Sequence, residues 1–277
     1  MTPLLTVLVV LLGGVVAGII GSLTGLGGGL VIVPLLTLGL HMPVPEAVGV
    51  SLFGVIATST GAAPRFVGTG LSNVRVGLFL QMAASSGALL GALISHRVPA
   101  HFLFLIFGAA MLYSAVMSFI PTASDVAGAP VNSPLAGRLR LASRYEQDGR
   151  WVEYRVAGVV PAFCIMIGAG FLSALLGIGS GVFKVLAMDK LMRLPFRVST
   201  ATSNFMIGMT AATSAGYYLS HGDIPPLTAG AVILGVILGA YAGGHWMKRL
   251  STRMLRRVFA VVLSLVALEM LLKGFGA

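Results

Sequence analysis

Apolar residues run along this chain in long blocks, not in short alternating strips. Ten segments, at roughly 4–23, 27–40, 46–64, 74–95, 100–120, 154–176, 179–192, 196–219, 225–247 and 254–273, are poor in charge. A helix of about 20 apolar residues crosses a bilayer, so most of these blocks predict transmembrane helices. The second and seventh are about 14 residues each and predict tilted, broken or re-entrant segments. The one long polar stretch, 121–153, places Asp148-Gly149 between strand-forming residues, which predicts a loop carrying a small β-hairpin.

Composition narrows the class. Hydrophobic residues make up 57% of the chain, charged residues 9%, and the mean hydropathy is +0.97. A soluble domain carries roughly 25% charged residues, so an ordinary aqueous surface is excluded. The 37 glycines follow no fixed period and the chain is rich in Leu, Val and Ile, which excludes collagen-like and disordered classes. The fold class expected is an all-α polytopic membrane protein. The single cysteine, Cys164, admits no intrachain disulfide. No Lys or Arg precedes the first apolar run, so that run is expected to be a retained span and not a cleaved signal.

The net charge of +10 becomes informative once its positions are sorted. Loops after odd-numbered segments carry Arg65, Arg75, Arg138, Arg140, Arg144, Arg150, Arg155, Lys190, Arg193, Arg197, Lys248, Arg249, Arg253, Arg256 and Arg257. The other side holds Arg97 and Lys273, and Lys184 lies inside the seventh segment. Positive residues favour the cytoplasmic side, so both termini are expected outside, in the inner (plasma) membrane. The surplus also attracts anionic lipid headgroups. A nucleic-acid footprint would need one basic face on a soluble domain, so nucleic acid is not an expected partner.

The chain repeats itself at an offset of 152. Gly25-Leu26-Gly27-Gly28-Gly29 lies over Gly177-Ile178-Gly179-Ser180-Gly181, Pro43 over Pro195, and Ser51 over Ser203. Each half then holds five segments, 1–120 and 154–277, separated by the loop 121–153. Five is odd, so the second half is expected to be inverted, and the charge bias of corresponding loops reverses accordingly. An inverted 5+5 repeat suits alternating access, although a duplicated scaffold without transport would show it too.

In each half a long segment ends in a glycine cluster and a short apolar segment follows. Glycine admits positive φ and close backbone approach. A break inside the membrane frees N–H groups for water or a ligand, and the half-helix that follows presents a partly positive end. Tight helix packing through small residues is the plainer reading, and it is preferred for Gly13, Gly14, Gly18, Gly235, Gly239 and Gly243. Lys184 stands in an apolar run where the first half has Ile32. A Lys at mid-membrane costs about 2.5–3.5 kcal/mol on insertion scales, so it faces a cavity and an anion, snorkels, or pairs with Asp189. None of the eight acids is clearly mid-membrane, whereas cation pumps generally keep one there, so an anion is favoured. The candidate substrate site is therefore Gly25, Gly27, Gly28, Gly29, Ser51, Gly177, Gly179, Ser180, Gly181, Lys184, Thr202, Ser203 and Asn204, with Asp189 for coupling or gating. The histidines show no metal-ligand spacing and no Walker motif is present, so neither a metal, a cofactor nor catalysis is expected.

The stretch from Gly18 to Pro34, together with Gly177-Ile178-Gly179-Ser180-Gly181 through Pro195 and Ala201-Thr202-Ser203-Asn204-Phe205, resembles the TauE/SafE (TSUP) family of sulfite exporters. The resemblance covers nearly the whole chain apart from 121–153. It implies an integral membrane permease, often an exporter, that moves sulfite, thiosulfate or organosulfonates by using ion gradients. Ser180 stands where many members keep Gly, and Lys184 where many have an aliphatic residue. The partners expected are a small sulfur-containing anion, a coupling proton or Na+, membrane lipid, and a second copy in a homodimer. Two other functions compete: a permease or channel for another solute such as a metal ion, and a non-transporting membrane assembly factor.

Overall fold

Helix α1 (Pro3–Thr24) ends where Gly25, Gly27 and Gly28 adopt positive φ. The chain then doubles back through α2 (Gly29–Pro34) and a π-helical turn, Leu35–Gly39. Pro34 has no N–H to donate, which suits a wider turn. Yet α8 (Gly181–Leu186) is followed by the same kind of turn, Ala187–Leu191, with Leu186 in place of Pro34. The turn thus belongs to the architecture of both halves and not to proline alone. Each helix-plus-turn spans about 16 Å at 1.5 Å per residue, half of the roughly 30 Å hydrocarbon layer.

The computed structural model describes residues 3–94, 99–119, 133–147, 150–177, 179–221, 224–247 and 249–275. Besides the elements above, these form α3 (Val44–Gly68), α4 (Val74–Ile94), α5 (Ala100–Phe119), α6 (Pro134–Arg138), α7 (Val159–Leu176), α9 (Phe196–Ser220), α10 (Pro226–Trp246) and α11 (Thr252–Phe275). Strands β1 (Ser143–Gln147) and β2 (Arg150–Tyr154) pair antiparallel, and their Asp148-Gly149 turn lies outside the described residues. Five described helices, α1, α3, α4, α10 and α11, are long and apolar enough to cross a bilayer. The chain is an all-α polytopic membrane protein.

Its surface is the reverse of a soluble one. Leu8, Leu12, Leu78, Met82, Leu234, Leu238, Leu265 and Leu268 are exposed along the long helices. Polar side chains are buried instead: α9 alone buries Ser199, Thr200, Thr202, Ser203, Asn204, Thr210 and Ser214. In lipid there is no water to satisfy such groups, so they gather inside.

The principal helix pairs come in matched sets. Helix α1 packs on α10 and α7 on α4, while α3 packs on α10 and α9 on α4. Two further pairs, α3 with α9 and α5 with α11, join a helix to its own counterpart at the offset of 152. Close approach depends on glycine. Gly239 and Gly243 of α10 rest on the backbone of Val15 and Ile19 in α1. At the same offset of 152, Gly87 and Gly91 of α4 rest on Ile167 and Phe171 in α7. The contacts advance in step along each pair, so the paired helices run parallel. Two non-glycine residues with positive φ, His41 and Arg193, also stand 152 apart, each just past a π-helical turn.

The stretch 133–156 is docked on the bundle. Ala136, Leu141, Tyr145, Tyr154 and Val156 are buried in the main apolar core. Asn73 fastens it: its Nδ2 donates to the Leu141 carbonyl at 2.9 Å and to the Tyr154 hydroxyl at 3.0 Å. Burial pushes the Tyr154 hydroxyl up to about 12, although its bonds to Asn73 and Ser143 act the other way.

Candidate functional site

The two glycine breaks meet in the interior, and each is closed by a hydroxyl from the opposite half. Ser203 on α9 donates to the Gly25 carbonyl at 2.6 Å. Ser51 on α3 donates to the Gly177 carbonyl, also at 2.6 Å. These bonds exchange into each other under the offset of 152. Carbonyls freed where a helix ends need donors, and the Ser residues supply them across the repeat. Between the breaks lies Val55, which would contact a side chain at either Gly27 or Gly179. Gly181 sits directly on the Gly25 carbonyl and Leu26, leaving no room for a Cβ.

Gly28 is the residue before α2 and Gly29 its first residue; Ser180 and Gly181 hold the same places in α8. Gly177 and Gly179 have φ of 66° and 62°, a region that L side chains rarely occupy. Asn204 bridges the halves, donating from Nδ2 to the Ser22 carbonyl at 2.8 Å and the Thr200 carbonyl at 3.1 Å. Of the residues singled out from sequence, these gather at one crossing. Thr202 does not join them, because its hydroxyl accepts the Asn73 N–H at 2.9 Å.

Lys184 is fully buried in α8, one turn past Ser180. Its Nζ donates to the Thr210 hydroxyl on α9 at 2.5 Å. Thr210 in turn meets Gln81 of α4. With the Gln81 oxygen facing Ser85 and Thr210 and its nitrogen facing the Met206 carbonyl, every partner is satisfied. The result is a polar file from Lys184 through Thr210 and Gln81 to Ser85. In the other half, Ile32 and Ile233 take the places of Lys184 and Gln81, and Thr58 takes that of Thr210, donating to Gly27 at 3.1 Å.

A Lys184–Asp189 pair does not form. Asp189 is buried and held by Arg256, whose NH1 and NH2 donate to its two oxygens at 3.0 and 2.9 Å. Lys190 adds a contact at 3.5 Å. Arg256 also lies over the Phe196 ring, 4.5 Å from its centre. This fork ties the π-helical turn of the second half to the start of α11. Thr37, the equivalent of Asp189, accepts from Lys273 near the other end of α11 at 3.4 Å.

Gln81, Asn73 and Arg256 are absent from the sequence-derived site. Gln81 did leave a signal, as the single amide in the apolar segment 74–95. Asn73 and Arg256 left none, since an Asn before a helix and an Arg in a basic loop are ordinary.

The model of the family described as sulfite exporter TauE/SafE matches residues 10–270. A probable membrane transporter protein, YunE, of Bacillus subtilis is 28% identical over 276 residues, covering 97% of each chain. A second from that organism, YdhB, is 27% identical over 243 residues, covering 88% of this chain and 89% of its own. A probable membrane transporter protein of Methanocaldococcus jannaschii is 24% identical over 276 residues, covering 94% of this chain and 93% of its own. No solved structure matches the chain significantly. With a match spanning both glycine breaks and all the helices that enclose them, the chain belongs to the TauE/SafE family.

Proposed function

We propose that this membrane transporter is a secondary carrier of small anions such as sulfite, thiosulfate or organosulfonates. It works by alternating access between two inverted halves, residues 1–120 and 154–277, with both termini outside the plasma membrane. The observation that carries the reading is Lys184. An ammonium buried in the bundle is costly unless compensated, and among the described residues the one hydrogen bond it makes is donated to a neutral hydroxyl. Among the described residues the acids are engaged or placed elsewhere: Asp189 with Arg256, Glu269 with Lys273, Glu46 in the first turn of α3, Glu146 and Glu153 exposed on the hairpin. An anion at Lys184 supplies the missing charge, with Thr210 and the hydroxyls of the crossing to orient its oxygens. Membership of the family and the transporter names of its relatives support the same reading.

The test is uptake of labelled sulfite, thiosulfate and a sulfonate into proteoliposomes. Lys184→Ala should lower flux at least tenfold, which corresponds to about 1.4 kcal/mol of lost transition-state stabilisation. Lys184→Arg should retain a measurable part. Unchanged flux through well-folded Lys184→Ala would sink the role, and flux of cations alone would sink the anion reading.

A further inference from the structure

Asn204 offers the wrong atom to an anion. Its Nδ2 is committed to two carbonyls, Ser22 and Thr200. Rotating the amide would set oxygen against oxygen at both, so the orientation is fixed by its neighbours. The Oδ1 is then a buried acceptor with no hydrogen-bond partner among the described residues. The Ser180 hydroxyl is likewise buried and unpartnered. Both side chains belong to segments that adjoin the first break. Ser203, beside Asn204, bonds the Gly25 carbonyl, and Gly181, beside Ser180, lies on that same carbonyl. A carbonyl has two lone pairs, so Gly25 keeps one in reserve.

We propose that these oxygens form the site of the coupling ion, and that the ion is Na+. It is held by the Asn204 Oδ1, the Ser180 Oγ and the Gly25 carbonyl. The inference rests on the reading of this protein as a coupled carrier and names its ion. Oxygen donors select hard cations over soft metals. All three donors are neutral, whereas Ca2+ and Mg2+ sites draw on carboxylates, so a single positive charge suits the set. Unwound backbone at a broken helix is where carriers place such ions. Lys184 and its hydroxyl file then take the anion while the break takes the cation, and the two opposite charges stabilise each other's occupancy.

The experiment uses the full-length protein in detergent, without any anionic substrate. Its melting temperature is followed as NaCl replaces choline chloride, with KCl as a second control. The melting temperature should rise with Na+ and saturate. Ser180→Ala and Asn204→Leu should abolish the rise, while Lys184→Ala should retain it. Should Asn204→Leu fail to fold, Ser180→Ala and the unmodified protein still decide the matter. Identical melting in Na+ and choline overturns the proposal, as does anion flux that follows a pH gradient and ignores Na+. A Na+ shift without anion flux upholds the ion site and defeats the anion reading; anion flux without a Na+ shift does the reverse.

Discussion

Tyr154 shows how one buried hydroxyl ties the loop to the bundle. Its folded pKa of about 12 lies above the ordinary value of 10.0. The sign follows from linkage: the unfolded form ionises first, so the stabilisation is intact below pH 10 and is lost as pH rises through about 12. The measurable outcome is a late tyrosinate step in an absorbance titration. That step should vanish in Tyr154→Phe, which also loses the Asn73 bond at a cost of about 1 kcal/mol. A titration in which all tyrosines ionise together near pH 10 would show that Tyr154 is not sealed. Residue identity alone could not reveal this, because the pairing of Asn73 with Tyr154 joins positions 81 apart. The same holds for Gln81 with Thr210, 129 apart. The glycine clusters were legible because positive φ is a local demand with a local answer.

The helix pairs owe their closeness to residues without side chains. A methyl at Gly239 would overlap the Val15 carbonyl, while a methyl at Gly230 on the same helix would meet nothing within 4 Å. Gly239→Ala should therefore lower the melting temperature, with a cost of about 1–3 kcal/mol for overpacking. Gly230→Ala should be neutral or slightly stabilising, since alanine is the better helix former. Equal effects would mean that the α1–α10 contact is looser than described. At this scale the sequence was readable in part. Segment boundaries and small-residue stripes follow from apolar blocks and spacing, and the shortness of the second and seventh segments was plain. The docking of 133–156 was not, because an isolated polar stretch carries no sign of the core it joins. Leu141 follows Arg140 in a basic stretch, and only its burial shows what it does.

Across the whole molecule, α11 reaches the ends of both half-helices: Arg256 to Asp189 at one end and Lys273 to Thr37 at the other. Breaking a buried pair strands a charge, so Arg256→Gln should destabilise the protein by about 3–5 kcal/mol. Adding Asp189→Asn should recover most of that loss, because no stranded carboxylate remains. A double variant as unstable as the single one would mean that the fork is incidental to holding α11 in place; chemical denaturation of the three proteins decides. The two ends of α11 also differ in kind, a forked ion pair against a hydroxyl contact, and Lys184 corresponds to Ile32 in the repeat. In a carrier whose halves were identical, the inward-open and outward-open forms would be the same object turned over, with equal free energies. Here exchanging the halves moves a charge to a place that has none. On the proposed alternating-access reading, the two forms are no longer degenerate, and the resting carrier favours one side of the membrane before any gradient is applied.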